Sequence, residues 1–189
     1  RYANAIEQTI ATLTAALTTT ERATGTIAPA PRPEIAASGS LAEIQRVFLE
    51  KGFTDGLPII PPTREAVAAM LKGTSHSPDE VVARGFMPEG LGVTVRQVAI
   101  NAVMAGAPAE SLPLIIAALQ AMADTDFELF GLNATTAPVV PLTLVNGPIR
   151  DRLDIPCRHG CLGGAPTTAL AIGRAIRLVI RNVAGQEVN

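Results

Sequence analysis

The sequence predicts an α-rich α/β domain in which helices pack around a small sheet and a glycine-rich loop stands at the N-terminus of the last long helix. Three observations carry that expectation. Apolar residues recur at helical spacing in several stretches, two of which open with a capping box, Ser40 with Glu43 and Thr94 with Gln97. Two stretches, Phe127 to Ala134 and Val139 to Asn146, change the period and are bounded by Pro, Asn and Gly, which reads as two strands. Finally, 48% of the 189 residues are apolar and 17% charged, with five Phe, one Tyr and no Trp, so the core must be built from Ala, Val, Ile and Leu. Such aliphatic cores suit helices packed closely on one another or on a small sheet.

From the N-terminus, Tyr2 to Leu17 reads as a helix carrying Ile6, Ile10, Leu13 and Leu17, and residues 1–22 form a helical arm. Residues 23–39 hold prolines at 29, 31 and 33 and read as an extended linker, or as an ordered strap. The main domain spans 40–189. Its first helix follows Ser40, presents Leu41, Ile44, Val47 and Phe48, and ends at Gly52. In FTDGLPIIPPT, Asp55-Gly56 predicts a turn, Leu57 to Ile60 an extended run, and Pro61-Pro62 forbids helix until Thr63 caps the next one. That helix carries Val67, Met70 and Leu71 and stops at Gly73. Residues 74–93 are expected to be loop, with a short helical turn at Pro78 to Ala83. Thr94 caps a helix that stops at Gly106, and Pro108 or Ser111 opens another through Ala123. After the two expected strands, Ile149 to Leu153 suits a brief helix. The last helix is expected from about Pro166 to Val183, with Ile172, Ile176, Val179 and Val183 on one face and Arg174, Arg177 and Arg181 on another.

The charge balance excludes some functions. A net charge of -2 gives no electrostatic case for nucleic acid, and few aromatics are present to stack on bases. No run reaches the ~18 apolar residues of a membrane span. Two cysteines three residues apart do not make a secreted disulfide scaffold, so a cytoplasmic location is expected.

The reactive groups concentrate in PCRHGCLGG, residues 156–164, which holds Cys157, Cys161 and one of the two histidines, His159. Pro156 and the glycines at 160, 163 and 164 keep this stretch out of helix. A glycine-rich loop leading into a helix offers unpaired N–H groups and a partial positive charge, which favour a thiolate or bind an anion. Cys161, nearer the helix, is the preferred nucleophile, with Cys157 resolving it or sharing a metal and His159 as base or ligand. Cys157, His159 and Cys161 also supply three ligands for a transition metal, although the spacing matches no common zinc signature. The plainest reading of the loop is a tight turn with two small buried residues. Gly163 and Gly164 would hold substrate through their N–H groups. Arg174 would partner an anion, although an arginine stripe on a helix is ordinarily a solvated face. Asp55 is a turn former that would act as base if its loop closes over the site. Asn133, Thr135 and Thr136 follow an expected strand, where ligand-binding groups often sit.

Taken together, FTDGLPIIPPT, TVRQVAINAVMAG, PLTLVNGPI and GCLGGAPTTALAIGRAIRLVIRNVAG resemble the UGSC-type family of bacterial proteins, some of which are selenoproteins with a U-G-S-C motif. The similarity runs from about Phe53 to Gly185 and implies thiol-type or redox chemistry. It also implies that these stretches form the C-terminal part of a longer protein. The chain departs from the family in lacking C-G-S-C or an equivalent, and it runs from Arg1 to Asn189, soon after the last helix. The expectation is therefore a fragment, a cleaved chain or one subunit of a split protein. The functional expectation is an oligomeric enzyme or enzyme subunit, an oxidoreductase or lyase, acting on a small anionic organic molecule by thiolate or thiolate-metal chemistry. The alternative is a non-catalytic interaction subunit whose reactive Cys or Sec lies on another chain carrying a U-G-S-C-like motif.

Overall fold

The computed structural model describes residues 2–19, 22, 35–86, 91–135, 137–163 and 167–184. The chain divides into two compact units, Arg1–Ala36 and Ala37–Asn189. Most of the expected linker, 23–34, lies outside the described residues. In the first unit, α1 (Tyr2–Thr14) ends before Leu17, and the hydroxyls of Thr9, Thr12 and Thr14 donate to carbonyls four residues back. Ile6, Ile10, Leu13 and Leu17 are exposed.

The second unit is an α-rich α/β fold with a two-stranded antiparallel sheet. Its helices start where the caps predict. In α2 (Leu41–Glu50), the Ser40 hydroxyl accepts from Glu43 N–H and the Glu43 carboxylate accepts from Ser40 N–H, satisfying two otherwise orphaned donors. Its end is a Schellman motif: Gly52 takes φ 69°, Phe53 N–H donates to Phe48 O and Gly52 N–H to Leu49 O. The accompanying apolar contact is an edge-to-face pair, Phe48 on Phe53, with ring centroids 5.7 Å apart. Thr63 caps α3 (Arg64–Leu71), and Thr94 with Gln97 boxes the start of α4 (Val95–Ala105), which ends at Gly106 in the left-handed region. A 3₁₀ turn at Ala109–Ser111 leads into α5 (Leu112–Met122).

The strands lie elsewhere than expected. Residues 74–93, expected to be loop with a helical turn at 78–83, supply β1 (Val81–Phe86) and β2 (Leu91–Thr94), paired antiparallel. The register shifts twice along β1, so Val82, Ala83 and Phe86 are buried instead of every second residue, and Gly85 at φ 68° lies within the second irregularity. That broken alternation is why the period-2 signal is missing. The expected strand at 127–134 is instead a 3₁₀ turn, Thr125–Phe127, followed by α6 (Leu129–Ala134). Asp124 caps the turn by accepting from Asp126 N–H, and Leu129–Ala134 contains no β-branched residue to resist helix. The second expected strand, 139–146, runs without helix, turn or bend but pairs with nothing among the described residues, so it is no strand. A short helix, α7 (Pro148–Arg152), follows it.

The last helix, α8 (Thr167–Ala184), organises the unit by packing chiefly along α4, with α3 and α5 also against α4 and the hairpin against α5 and α8. Ile172, Ile176, Val179 and Val183 are buried, as the periodicity predicts, and join Val98, Ala102, Ile115, Leu119 and Phe86 in one aliphatic core. Ala99, Ala102 and Ala175 are fully covered, and these small side chains let the helices approach closely. No helix among the described residues is long and apolar enough to cross a membrane.

Candidate functional site

Two constellations contain the residues singled out by sequence, one on each side of the start of α8. In the first, the chain leaves α7 through another Schellman motif: Ile155 N–H donates to Arg150 O, Asp154 N–H donates to Asp151 O, and Asp154 takes φ 51°. Leu153 is buried and anchors this turn. The motif delivers Pro156 and Cys157 to the surface. Arg158 to Gly163 then form tight turns, in which Cys161 N–H donates to Arg158 O at 3.4 Å and Gly163 N–H to Gly160 O at 3.1 Å. Gly160 at φ 78° and Gly163 at φ 148° take conformations that side-chain-bearing residues resist. Gly164 lies outside the described residues, as does Pro166.

Both thiols are free and exposed, which corrects the reading of two small buried residues. His159 is exposed as well. Among the described residues no three His, Cys, Asp or Glu side chains gather to hold a metal. The ligand set Cys157, His159 and Cys161 is therefore not assembled: these side chains stand in open turns at the surface, with nothing packing them toward a common point.

The nearest charge to this loop was not anticipated. Arg150 on α7 donates from Nη2 and Nε to Asp151 Oδ1 at 2.6 and 3.0 Å. Its guanidinium is pushed above its ordinary value first by that hydrogen bond, then by the Asp151 charge, and also by the charge of Cys157. Arg150 is thus within electrostatic reach of Cys157. The only sequence signal for it is proximity along the chain, seven residues before the thiol.

The second constellation joins the TDGLP turn to α8. Arg174 Nε donates to Asp55 Oδ2 and Nη2 to Oδ1, both at 2.9 Å, and Nη2 also reaches Leu57 O at 3.2 Å. Within the turn, the Thr54 hydroxyl donates to Leu57 O at 2.8 Å and Leu57 N–H to Asp55 Oδ1 at 3.3 Å, while Gly56 takes φ 92°. Further along α8, Arg181 Nε donates to Gly52 O, and Asn182 Nδ2 to Phe53 O and to Asn101 Oδ1 on α4. The arginine stripe is therefore not a simply solvated face. Its first and last members hold the 52–57 segment against the helix. Behind that segment, the Gln45 amide both donates to Ile59 O and accepts from Ile59 N–H, and Ile60 N–H donates to Met104 O. Gln45, Arg181, Asn182 and Asn101 escaped the sequence reading because their partners lie far away along the chain.

Burial would push the Asp55 carboxyl up, but the Arg174 hydrogen bonds and charge, the Leu57 N–H and the Thr54 hydroxyl outweigh it and hold the carboxyl below the usual aspartate range. Ionised and engaged by two guanidinium nitrogens, Asp55 is a poor proton acceptor, and Arg174 already holds an anion. The Arg174→Ala variant should lose about 1–2 kcal/mol of unfolding free energy, more than the ~0–1 of an exposed pair, because the pairing is bidentate and partly screened from water. Chemical denaturation measures it, and a midpoint unchanged in Arg174→Ala would mean the clamp holds nothing. The pH dependence has a definite sign. A carboxyl lowered in the folded state contributes stability that is present above its unfolded value, about 3.9, and is lost as pH falls through the folded one. Acid titration of stability below pH ~4 should therefore be shallower in Asp55→Asn than in the wild type.

Asn133 is half-buried near the end of α6, not at the end of a strand, and the Thr135 hydroxyl accepts from Ala137 N–H at 3.1 Å in a local turn. Thr136 lies outside the described residues. Among the described residues no hydrogen bond or ion pair connects Cys157, His159 or Cys161 to the Asp55–Arg174 pair. A groove of about 270 Å³ lined by Ala5, Ile6, Thr9 and Ile10 is formed by one face of α1 alone and contains no titratable side chain. No family model, curated protein or solved structure matches this chain.

Proposed function

We propose that the chain is an enzyme or enzyme subunit that acts on a small anionic organic molecule through thiolate chemistry at the 156–163 loop. The observation that supports this most is the pair of free, exposed thiols with the Arg150 guanidinium within electrostatic reach of Cys157. Arg150 moves the preferred nucleophile from Cys161 to Cys157, because a cation beside the sulfur favours the thiolate and draws an anionic substrate to it. Cys161 is the resolving thiol. In the redox form of this chemistry the two thiols pass two electrons and two protons to the substrate and close a Cys157–Cys161 disulfide. In the lyase form the thiolate adds to an electrophilic carbon and is later expelled. Free thiols suit a reducing compartment, so the cytoplasm belongs to the same proposal. The resemblance to the UGSC-type family in FTDGLPIIPPT and GCLGGAPTTALAIGRAIRLVIRNVAG points the same way.

The test compares an anionic and a neutral alkylating reagent, iodoacetate and iodoacetamide, on the wild type, Cys157→Ala, Cys161→Ala and Arg150→Gln. Cys157 should react with iodoacetate several-fold faster than a free cysteine does, and Arg150→Gln should abolish that preference while leaving iodoacetamide less affected. Thiols that react like free cysteine with both reagents, and that ignore Arg150→Gln, would overturn the proposal.

A second reading, a non-catalytic subunit of a heteromeric enzyme whose reactive Cys or Sec is on another chain, is favoured by the apolar residues of α1. Ile6, Ile10 and Leu13 recur at helical spacing and are exposed, as a helix does that docks on a partner. Mass measurement of the native assembly distinguishes the two readings.

A further inference from the structure

We infer that the segment from Val139 to Val145 is an edge strand that pairs antiparallel with the same segment of a second copy of this chain. The inference is independent of the thiol proposal. From Pro138 to Asn146 the chain runs without helix, turn or bend. Exposure alternates along it: Val140, Leu142 and Leu144 are 73, 70 and 85% exposed, while Pro141 and Val145 are half-buried. This is the period-2 pattern of a strand with an apolar row facing solvent. Among the described residues, the N–H groups of Val140, Leu142 and Leu144 donate to nothing. Monomeric proteins guard such edges with charge, yet no Asp, Glu, Lys or Arg occurs from Leu129 to Ile149.

The positions of the prolines select the edge and the register. Main-chain groups of alternate residues point to the same edge of a strand. The edge carrying residues 139, 141, 143 and 145 loses its central donor to Pro141, whereas the edge carrying 140, 142 and 144 is intact. A two-fold axis at Leu142 places Leu142 opposite itself and Val140 opposite Leu144 of the second copy, all at positions that exchange both main-chain hydrogen bonds. Pro141 then faces Thr143 at a position that needs no donor, and Pro138 faces Asn146 and ends the ladder. Every facing pair on the exposed row is aliphatic, and no like charges meet. A second copy therefore fits this edge, where a charged partner would find nothing to pair with. The pairing is short compared with stable interfaces, so the dimer is weak and depends on concentration.

Sedimentation of the 1–189 chain over a range of concentrations should show a monomer–dimer equilibrium. Leu142→Lys, which sets like charges opposite each other on an exposed position, should remain monomeric with its circular dichroism and melting point unchanged. In a Cys157→Ala, Cys161→Ala background, Leu142→Cys should oxidise to a disulfide-linked dimer, because facing Cα atoms lie about 5.5 Å apart. Val139→Cys should not, because in this register its counterpart lies about 20 Å away along the ladder. A wild type that stays monomeric throughout, or a dimer in which Leu142→Cys cross-links no better than Val139→Cys, would overturn the inference.

Discussion

Replacing Phe86 by alanine is expected to cost about 3–5 kcal/mol of unfolding free energy, the largest effect of any substitution considered in this protein. The ring is fully buried, one of only five phenylalanines, and belongs to the core shared by the hairpin, α5 and α8. The loss has two parts: the transfer of the ring out of an apolar environment, and the cavity left among residues too short to fill it. Aliphatic neighbours such as Val93 and Ile115 cannot collapse onto a hole of that size without leaving their own rotamers. Phe86→Leu should cost markedly less. Urea unfolding followed by far-ultraviolet circular dichroism measures both, and a loss under about 1.5 kcal/mol for Phe86→Ala would place the hairpin outside the cooperative core.

Gly73→Ala is expected to be next, at about 3 kcal/mol, the upper part of the range for overpacking. A Cβ built at Gly73 would lie 1.9 Å from the Ala109 carbonyl oxygen and 2.6 Å from its carbon. Both are main-chain atoms, so no side chain can swing aside. Either the end of α3 or the 3₁₀ turn before α5 must move, and both are seated on the core. Gly173→Ala is the control of opposite sign. Gly173 lies within α8 with nothing within 4 Å of a Cβ, so alanine should stabilise by about 0.5–1 kcal/mol through the backbone entropy it removes from the unfolded chain. Paired urea curves decide the matter: equal midpoints for the two variants would contradict the close approach at Gly73.

These two glycines show how far local reading reaches. Gly73 is legible as the end of a helix, but the reason it must be glycine is the Ala109 carbonyl, a contact made only once α3 and the turn before α5 meet. The same division holds at the candidate site. TDGLP is readable as a turn because Asp55 and Gly56 carry their conformations in their own chemistry, whereas Arg174 lies 119 residues beyond Asp55 and nothing in the spacing joins them. The loop around Cys157 and Cys161 is readable from its proline and glycines. Its neighbour Arg150 is not, because a Schellman turn at Asp154 is needed to bring the chain round.

Where an interaction closes within one helical turn, the residues alone determined the outcome. The boxes at Ser40 and Thr94, the cap at Thr63, the glycine stop at Gly106 and the buried face of α8 all follow from groups three or four residues apart. Strands are different, because a strand exists only if a partner supplies its hydrogen bonds. Val81–Phe86 has such a partner in Leu91–Thr94 and is a strand despite its two irregularities and its glycine. Residues 139–145 have the composition and the period of a strand but no partner within the chain, and so remain extended and unpaired. Helices and their caps were therefore written locally. The identity of the sheet, the clamp of Arg174 on Asp55 and the exposure of the two thiols were decided only by tertiary packing, because each depends on which distant segments come to lie side by side.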